Sequence, residues 1–160
     1  MVRTIAFIAV GAAYSVSVTR AHESRPGYLE LREESDGRFN VLWKQPARGE
    51  YRLRLNPVFP ESCQLTGAGS QEMTGSVLFW RTSIDCSEGL IGQTVIIGGL
   101  EATLTDVLVR VHHANGTEET HLVTPIEPAV VIGGEGGESG VAAYTLLGGE
   151  HILLGVDHLL

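Results

Sequence analysis

The chain has few basic residues. It contains 11 lysines and arginines against 19 aspartates and glutamates in 160 residues, which gives a formal net charge of -8. A protein that binds nucleic acid needs a basic surface to neutralise phosphates. The arginines Arg48, Arg52 and Arg54 are spread along one strand-rich region and form no patch. The composition therefore argues against nucleic acid as a partner, and the length predicts one globular domain of ordinary size.

The sequence also lacks the common catalytic signatures. It has no Gly-x-Ser-x-Gly segment, no Ser/His/Asp arrangement and no His-Glu-x-x-His order. Glu150 and its two neighbouring histidines, His151 and His158, match a zinc protease only in residue type. We therefore expect a protein that is not an enzyme.

Cysteine is scarce, with only Cys63 and Cys86 in the chain. They lie 23 positions apart on either side of an apolar run, and neither belongs to the Cys-x-x-Cys motif that a redox or metal role would favour. In an exported protein this arrangement predicts a structural disulfide, worth about 3 kcal/mol in the chain-entropy treatment.

The N-terminus has the pattern of a secretory signal. Residues 1–21 combine the positive Arg3, an apolar stretch and a small-x-small cleavage site ending at Ala21. An uncleaved anchor is the alternative, but the apolar run is short for a membrane span of about 20 residues. We expect residues 22–132 to be extracytoplasmic. Cleavage would leave His22 as the first residue, where its ring and the free amine could chelate a metal; a frayed terminus is the plainer interpretation.

Between Gly27 and about Ile132 the apolar residues alternate with polar ones at a period of two. Turn residues such as Asp36-Gly37 and several prolines separate the runs. Strands with one face on a core and the other in water have this pattern. The expected fold is mainly β, an antiparallel β-sandwich of about seven strands, with a small barrel as the alternative. The later runs are at residues 77–84, 93–97, 102–112 and 119–124.

Asn115-Gly116 is the clearest turn signal in the chain. If these two residues form the whole hairpin loop, His112 lies opposite Glu119 and Arg110 lies opposite His121 on a polar outer face. A metal site built from His112, His113 and His121 is the alternative, although neighbouring residues of a strand point to opposite faces. We expect the polar face.

Residues 133–140 are rich in glycine and predict a flexible linker that spans roughly 15 Å. Residues 141–160 lose the alternation and predict a helix, the start of a membrane domain that continues beyond the last residue. Glu150, His151, Asp157 and His158 would share one stripe of this helix, and ionisable groups among leucines suggest function when they lie in a membrane.

The spacing of these groups limits what they could do. The histidine Cα atoms would lie about 10.5 Å apart, which is too far for easy chelation of one ion, so further metal ligands would have to come from other helices. Imidazole and carboxylate ligands suit a borderline ion such as Ni²⁺ or Co²⁺. The alternatives are a proton relay through the same groups and a soluble amphipathic helix that docks on the β-domain.

The segment His151-Ile-Leu-Leu-Gly-Val-Asp157-His158 resembles the His-x5-Asp-His signature in the first membrane helix of HupE/UreJ-type nickel permeases. Residues 21–31 and 100–110 are similar to stretches of the family branch that has an exported N-terminal domain. The chain differs from the typical permease in having Ile152 where a proline is usual and in its large β-domain.

The resemblance implies a multi-helix protein of the inner membrane that contacts lipid. Its implied metal positions are His151, Asp157 and His158, and its implied cargo is nickel; the ligand types also suit cobalt. Glu150, from the same helix stripe, and His22, from the predicted new N-terminus, are further candidates for metal binding. Transport of nickel or cobalt is therefore the first functional hypothesis. The second is a β-domain that binds a ligand or a periplasmic protein partner on a membrane anchor, without transport.

Overall fold

A computed structural model describes residues 26–35, 37–48 and 51–134. This part of the chain is mainly β, as the alternation predicts. Its strands are β1 (Gly27–Ser35), β2 (Arg38–Arg48), β3 (Tyr51–Arg52), β4 (Asn56–Val58), β5 (Cys63–Leu65), β6 (Ser70–Thr74), β7 (Val77–Cys86), β8 (Thr94–Gly98), β9 (Val107–His112), β10 (Glu118–Val123) and β11 (Ala129–Val131). Eleven strands are therefore present in the described residues, more than the seven expected.

The strands form two sheets. The larger has the order β10-β9-β1-β2-β7-β5, with β3 paired to β2 and β6 paired to β7; the smaller has the order β11-β8-β4. Buried side chains of both sheets, such as Leu31 and Val109 from the larger and Val95 and Ile97 from the smaller, belong to one hydrophobic core. The two sheets therefore bury their apolar faces together.

The expectation of a purely antiparallel fold is wrong in one place. Strands β1 and β9 pair in parallel, with Leu29 opposite Val109 and Leu31 opposite Val111. Parallel neighbours need a long connection, and here the whole chain from Gly37 to Asp106 lies between them. Alternation along a strand sets which face is buried, but it carries no information on which distant strand lies alongside.

Pairings between strands that are close in sequence agree better with the predictions. β1 and β2 form the hairpin predicted at Asp36-Gly37, and the β7 and β8 runs are where the alternation puts them. The predicted run at 102–112 is too long, because Leu100–Ala102 form a short 3-10 turn and β9 starts only at Val107.

The disulfide between Cys63 and Cys86 is confirmed. It joins directly opposed residues of β5 and β7 and so fastens the edge of the larger sheet, while Cys86 lies in the core. β5 is only three residues long and mostly exposed, and the disulfide adds a covalent link to its backbone pairing with β7.

The other sequence predictions fall on residues outside this part of the chain. They concern the signal peptide at 1–21, most of the linker at 133–140 and the helix at 141–160. Among the described residues no helix has the length and apolar character needed to cross a membrane.

Replacing both cysteines by serine should lower the free energy of unfolding by about 3 kcal/mol, because the open loop regains entropy in the unfolded chain. Urea unfolding of the variant and the parent, each with and without reductant, measures this. Reductant should shift the parent to the variant's midpoint and leave the variant unchanged; equal midpoints for oxidised parent and variant would contradict the prediction.

Two glycines with the same backbone conformation allow a matched comparison. Gly99 and Gly116 have φ values of 82° and 83°, but a Cβ at Gly99 would collide with the backbone oxygen of Arg54, whereas one at Gly116 would meet no atom within 4 Å. We expect Gly116→Ala to cost about 1 kcal/mol and Gly99→Ala about 3 kcal/mol, since only the second adds overlap to the unfavourable φ. Chemical denaturation gives both values, and equal losses would contradict this.

Candidate functional site

The outer face of the larger sheet, the side away from the core, is organised in cross-strand rows. Its residues alternate with the buried ones such as Leu29, Leu31 and Val41. Reading across β9, β1, β2 and β7, the strand register gives the rows His112–Arg32–Asn40–Ser83, Arg110–Glu30–Leu42–Arg81 and Leu108–Tyr28–Lys44–Phe79. Neighbours within a row are close enough to interact directly.

Glu30 lies in the middle row and is held by its neighbours. The Tyr28 hydroxyl donates to its Oε2 at 2.7 Å, and an Arg32 guanidinium nitrogen lies 3.4 Å from its Oε1. Partial burial acts to raise the pKa of Glu30, but the hydrogen bond from Tyr28 and the charge of Arg32 outweigh it, so the pKa is lowered. Glu30 therefore stays ionised, and its charge is already compensated.

Aromatic rings of the third row hold basic side chains. The Lys44 ammonium lies 4.7 Å from the centre of the Tyr28 ring, and the Arg81 guanidinium lies 5.3 Å from that of Phe79. Cation–π contacts of this kind contribute roughly 0.5–1 kcal/mol at exposed sites. They orient the positive groups without neutralising them.

A groove of about 510 Å³ opens over β1, β2 and β7. We call it the outer groove. Its polar lining consists of Glu30, Arg32, Asn40, Thr66, Arg81 and Ser83, and Gly67 and Gly69 contribute to the lining from the segment between β5 and β6. The Ser83 hydroxyl donates to the Asn40 side-chain oxygen at 3.0 Å. This is a solvent-accessible cleft with several hydrogen-bonding groups and two guanidinium groups.

A second polar cluster lies on the core side of the β9–β10 hairpin. Glu119 is buried, and its carboxylate lies 2.6 Å from His113 Nε2 and 2.7 Å from His121 Nε2. The backbone N–H of Gly133 donates to the same carboxylate, at 2.9 Å and 3.1 Å to its two oxygens. We call these residues the Glu119 cluster; it ties the hairpin to the end of the described chain.

Hydrogen bonding controls the charge state of Glu119. Burial acts to raise its pKa, but the N–H of Gly133 and the rings of His121 and His113 stabilise the carboxylate more, so the pKa is lowered. At the hairpin's outer side, Arg110 and His112 hold Glu118, and the hydrogen bond from Arg110 is the main cause of the lowered pKa of Glu118.

The predicted hairpin register is wrong by one residue. Glu118 lies opposite His112 and Glu119 opposite Val111, because the loop has three residues rather than two. The N–H of Gly116 donates to the oxygen of His113, and the N–H of His113 donates to the oxygen of Thr117, the pattern of a turn closed by a left-handed glycine. A one-residue slip moves every side chain of one strand to the other face, so Glu119 and His121 point to the core.

The histidines therefore do not form the alternative metal site. His112 lies on the outer face with Glu118, while His113 and His121 lie on the other side against Glu119. Within the described ranges no group of three or more His, Cys, Asp or Glu residues could hold a metal ion. The expectation of a polar outer face holds for His112 and is wrong for His121.

The metal positions predicted from the sequence are His151, Asp157, His158, Glu150 and His22. All five lie outside the residues that the structure describes. The outer groove and the Glu119 cluster were missed by sequence reasoning. The period of two does place Arg32 and Arg81 on the face opposite the core, but no signal in the sequence places the Thr66–Gly69 segment beside them.

Comparisons with known proteins assign no family. No family model matches the chain, and no curated protein is significantly similar to it. The likeness to HupE/UreJ permeases therefore rests on the residues quoted for it.

Glu119→Ala should lower the free energy of unfolding by about 3 kcal/mol, because it leaves two imidazoles and one backbone N–H without their acceptor. In the parent, stability that depends on the lowered pKa of Glu119 is present above the unfolded pKa near 4.5 and is lost as pH falls through the folded value. Urea midpoints between pH 7 and pH 3 should thus converge for the two proteins in acid. A constant gap over that range would contradict the prediction.

Proposed function

We propose that this chain is the exported N-terminal portion of a HupE/UreJ-like integral membrane protein that takes part in transport of a divalent metal, nickel or cobalt. The observation that carries the proposal is the His-x5-Asp-His signature formed by His151, Asp157 and His158. In this proposal residues 1–21 are a signal peptide, 133–140 a linker, and 141–160 the start of a helix in the lipid of the inner membrane.

The disulfide supports the export of the β-domain. Disulfides persist in oxidising compartments and are rare in the cytosol, and Cys63–Cys86 links the short strand β5 to β7. Two sheets with a shared core also support a β-sandwich as the finer description of the fold. In this proposal the extracytoplasmic domain lies next to the membrane part that transports the metal, and it has no enzymatic activity.

Metal accumulation in cells that produce the full-length protein tests the transport role. His151→Ala and Asp157→Ala should each reduce uptake of Ni²⁺ or Co²⁺ at least about tenfold, because each removes a ligand type that these ions use. Glu88→Ala, which removes an exposed carboxylate of the β-domain, is the charge-matched control and should leave uptake unchanged. Parental uptake in both signature variants, at equal protein levels, would refute transport.

A second role is favoured by the outer groove. Its size falls within the range of small-molecule sites, and its polar lining is independent of the signature residues. In this role the β-domain binds a ligand, or a periplasmic protein partner through it, and the membrane part anchors it. Unchanged uptake in the signature variants together with ligand binding at the groove would support this role over transport.

A further inference from the structure

We propose that the outer groove binds a small organic anion that carries two or more carboxylates. The inference rests on the ligand-binding role of the β-domain and adds the chemistry of the ligand. It follows from the charged groups in the lining of the groove, the contacts of Arg81 and the dimensions of the groove.

The charge of the groove is opposite to that of the protein. The lining contains Arg32 and Arg81 and one carboxylate, Glu30, in a chain whose net charge is -8. The exposed Glu72 lies outside the lining, 3.6 Å from Arg81. Glu30 already accepts the hydroxyl of Tyr28 and contacts Arg32. The lining of the groove therefore has more basic than acidic groups, although the protein as a whole is acidic.

Arg81 keeps its hydrogen-bonding capacity for a ligand. Its nearest carboxylate in the described residues is that of Glu72 at 3.6 Å, longer than a hydrogen bond, and its side chain is 52% exposed. The Phe79 ring lies 5.3 Å from the guanidinium and orients it. A planar guanidinium with free N–H groups is suited to bidentate binding of a carboxylate.

The dimensions favour a molecule over a single inorganic ion. Arg32 is on β1 and Arg81 on β7, with β2 between them, so the two strands lie roughly 10 Å apart. A cleft of about 510 Å³ is far larger than one phosphate or chloride. A molecule with a carboxylate towards each arginine would span β2 and pass over Asn40, whose side-chain amide has a second N–H besides the one it donates to Glu34.

Isothermal titration of the purified 160-residue chain in mild detergent, with citrate as the probe, tests this. We expect citrate to bind, and Arg81→Gln to weaken binding at least about tenfold, since a charge-assisted pair is lost. Arg54→Gln is the matched control, because Arg54 is exposed, lies outside the groove lining and changes the net charge equally. It should change the affinity less than twofold. Arg81→Lys, which keeps the charge but loses the planar geometry, should fall between the parent and Arg81→Gln.

Several results would overturn the inference. These are no binding of citrate, equal weakening by the Arg81 and Arg54 variants, or inorganic phosphate binding as tightly as citrate. Binding of a neutral sugar such as glucose that Arg81→Gln weakens, without citrate binding, would overturn the anion assignment and keep the ligand-binding role. The metal-uptake experiment is independent of these titrations. A titration without citrate binding would therefore not affect the transport proposal.

Discussion

The parallel pairing of β1 with β9 is the contact on which the rest of the described structure depends. It joins the N-terminal hairpin, β1 and β2, to the later hairpin, β9 and β10, in one sheet. Its inward residues, among them Leu29, Leu31, Val109 and Val111, are fully buried. Its outward residues belong to the rows of charged and aromatic side chains that cross β9, β1, β2 and β7. Core and outer face thus arise from the same register, and a shift at this pairing would disrupt both.

Charged groups are compensated differently on the two faces of the larger sheet. On the outer face Glu30 and Glu118 are compensated by hydroxyl, guanidinium and imidazole groups, while Arg81 is left with only a distant partner. On the core face Glu119 is tolerated because two imidazoles and one backbone N–H meet its carboxylate. Burying that group without these donors would cost several kcal/mol. The Glu119 cluster is therefore structural, whereas the Arg81 guanidinium on the outer face lies 3.6 Å from its carboxylate partner, Glu72, beyond hydrogen-bond distance.

Much of the local structure could be predicted from the sequence. Period-two alternation gives the mainly β fold and the faces of β1 and β2, Asp36-Gly37 gives their hairpin, and the two cysteines give the disulfide. The β1–β9 pairing could not be predicted, since alternation does not specify long-range neighbours. The predicted register of β10 was wrong for a narrower reason. Leu122 and Val123 are both apolar, so either could face the core, and the choice was decided by a three-residue loop that Asn115-Gly116 alone does not reveal.

We propose that ligands bind to the outer face of the larger sheet and not to the Glu119 cluster. Backbone amide NMR shifts of the ¹⁵N-labelled chain during addition of citrate measure this residue by residue. We expect the largest shift changes at the amides of Arg32, Asn40, Arg81 and Ser83. The amide shifts of Glu119 and Gly133 should not change. Changes spread evenly over the surface, or concentrated at Glu119, would contradict it.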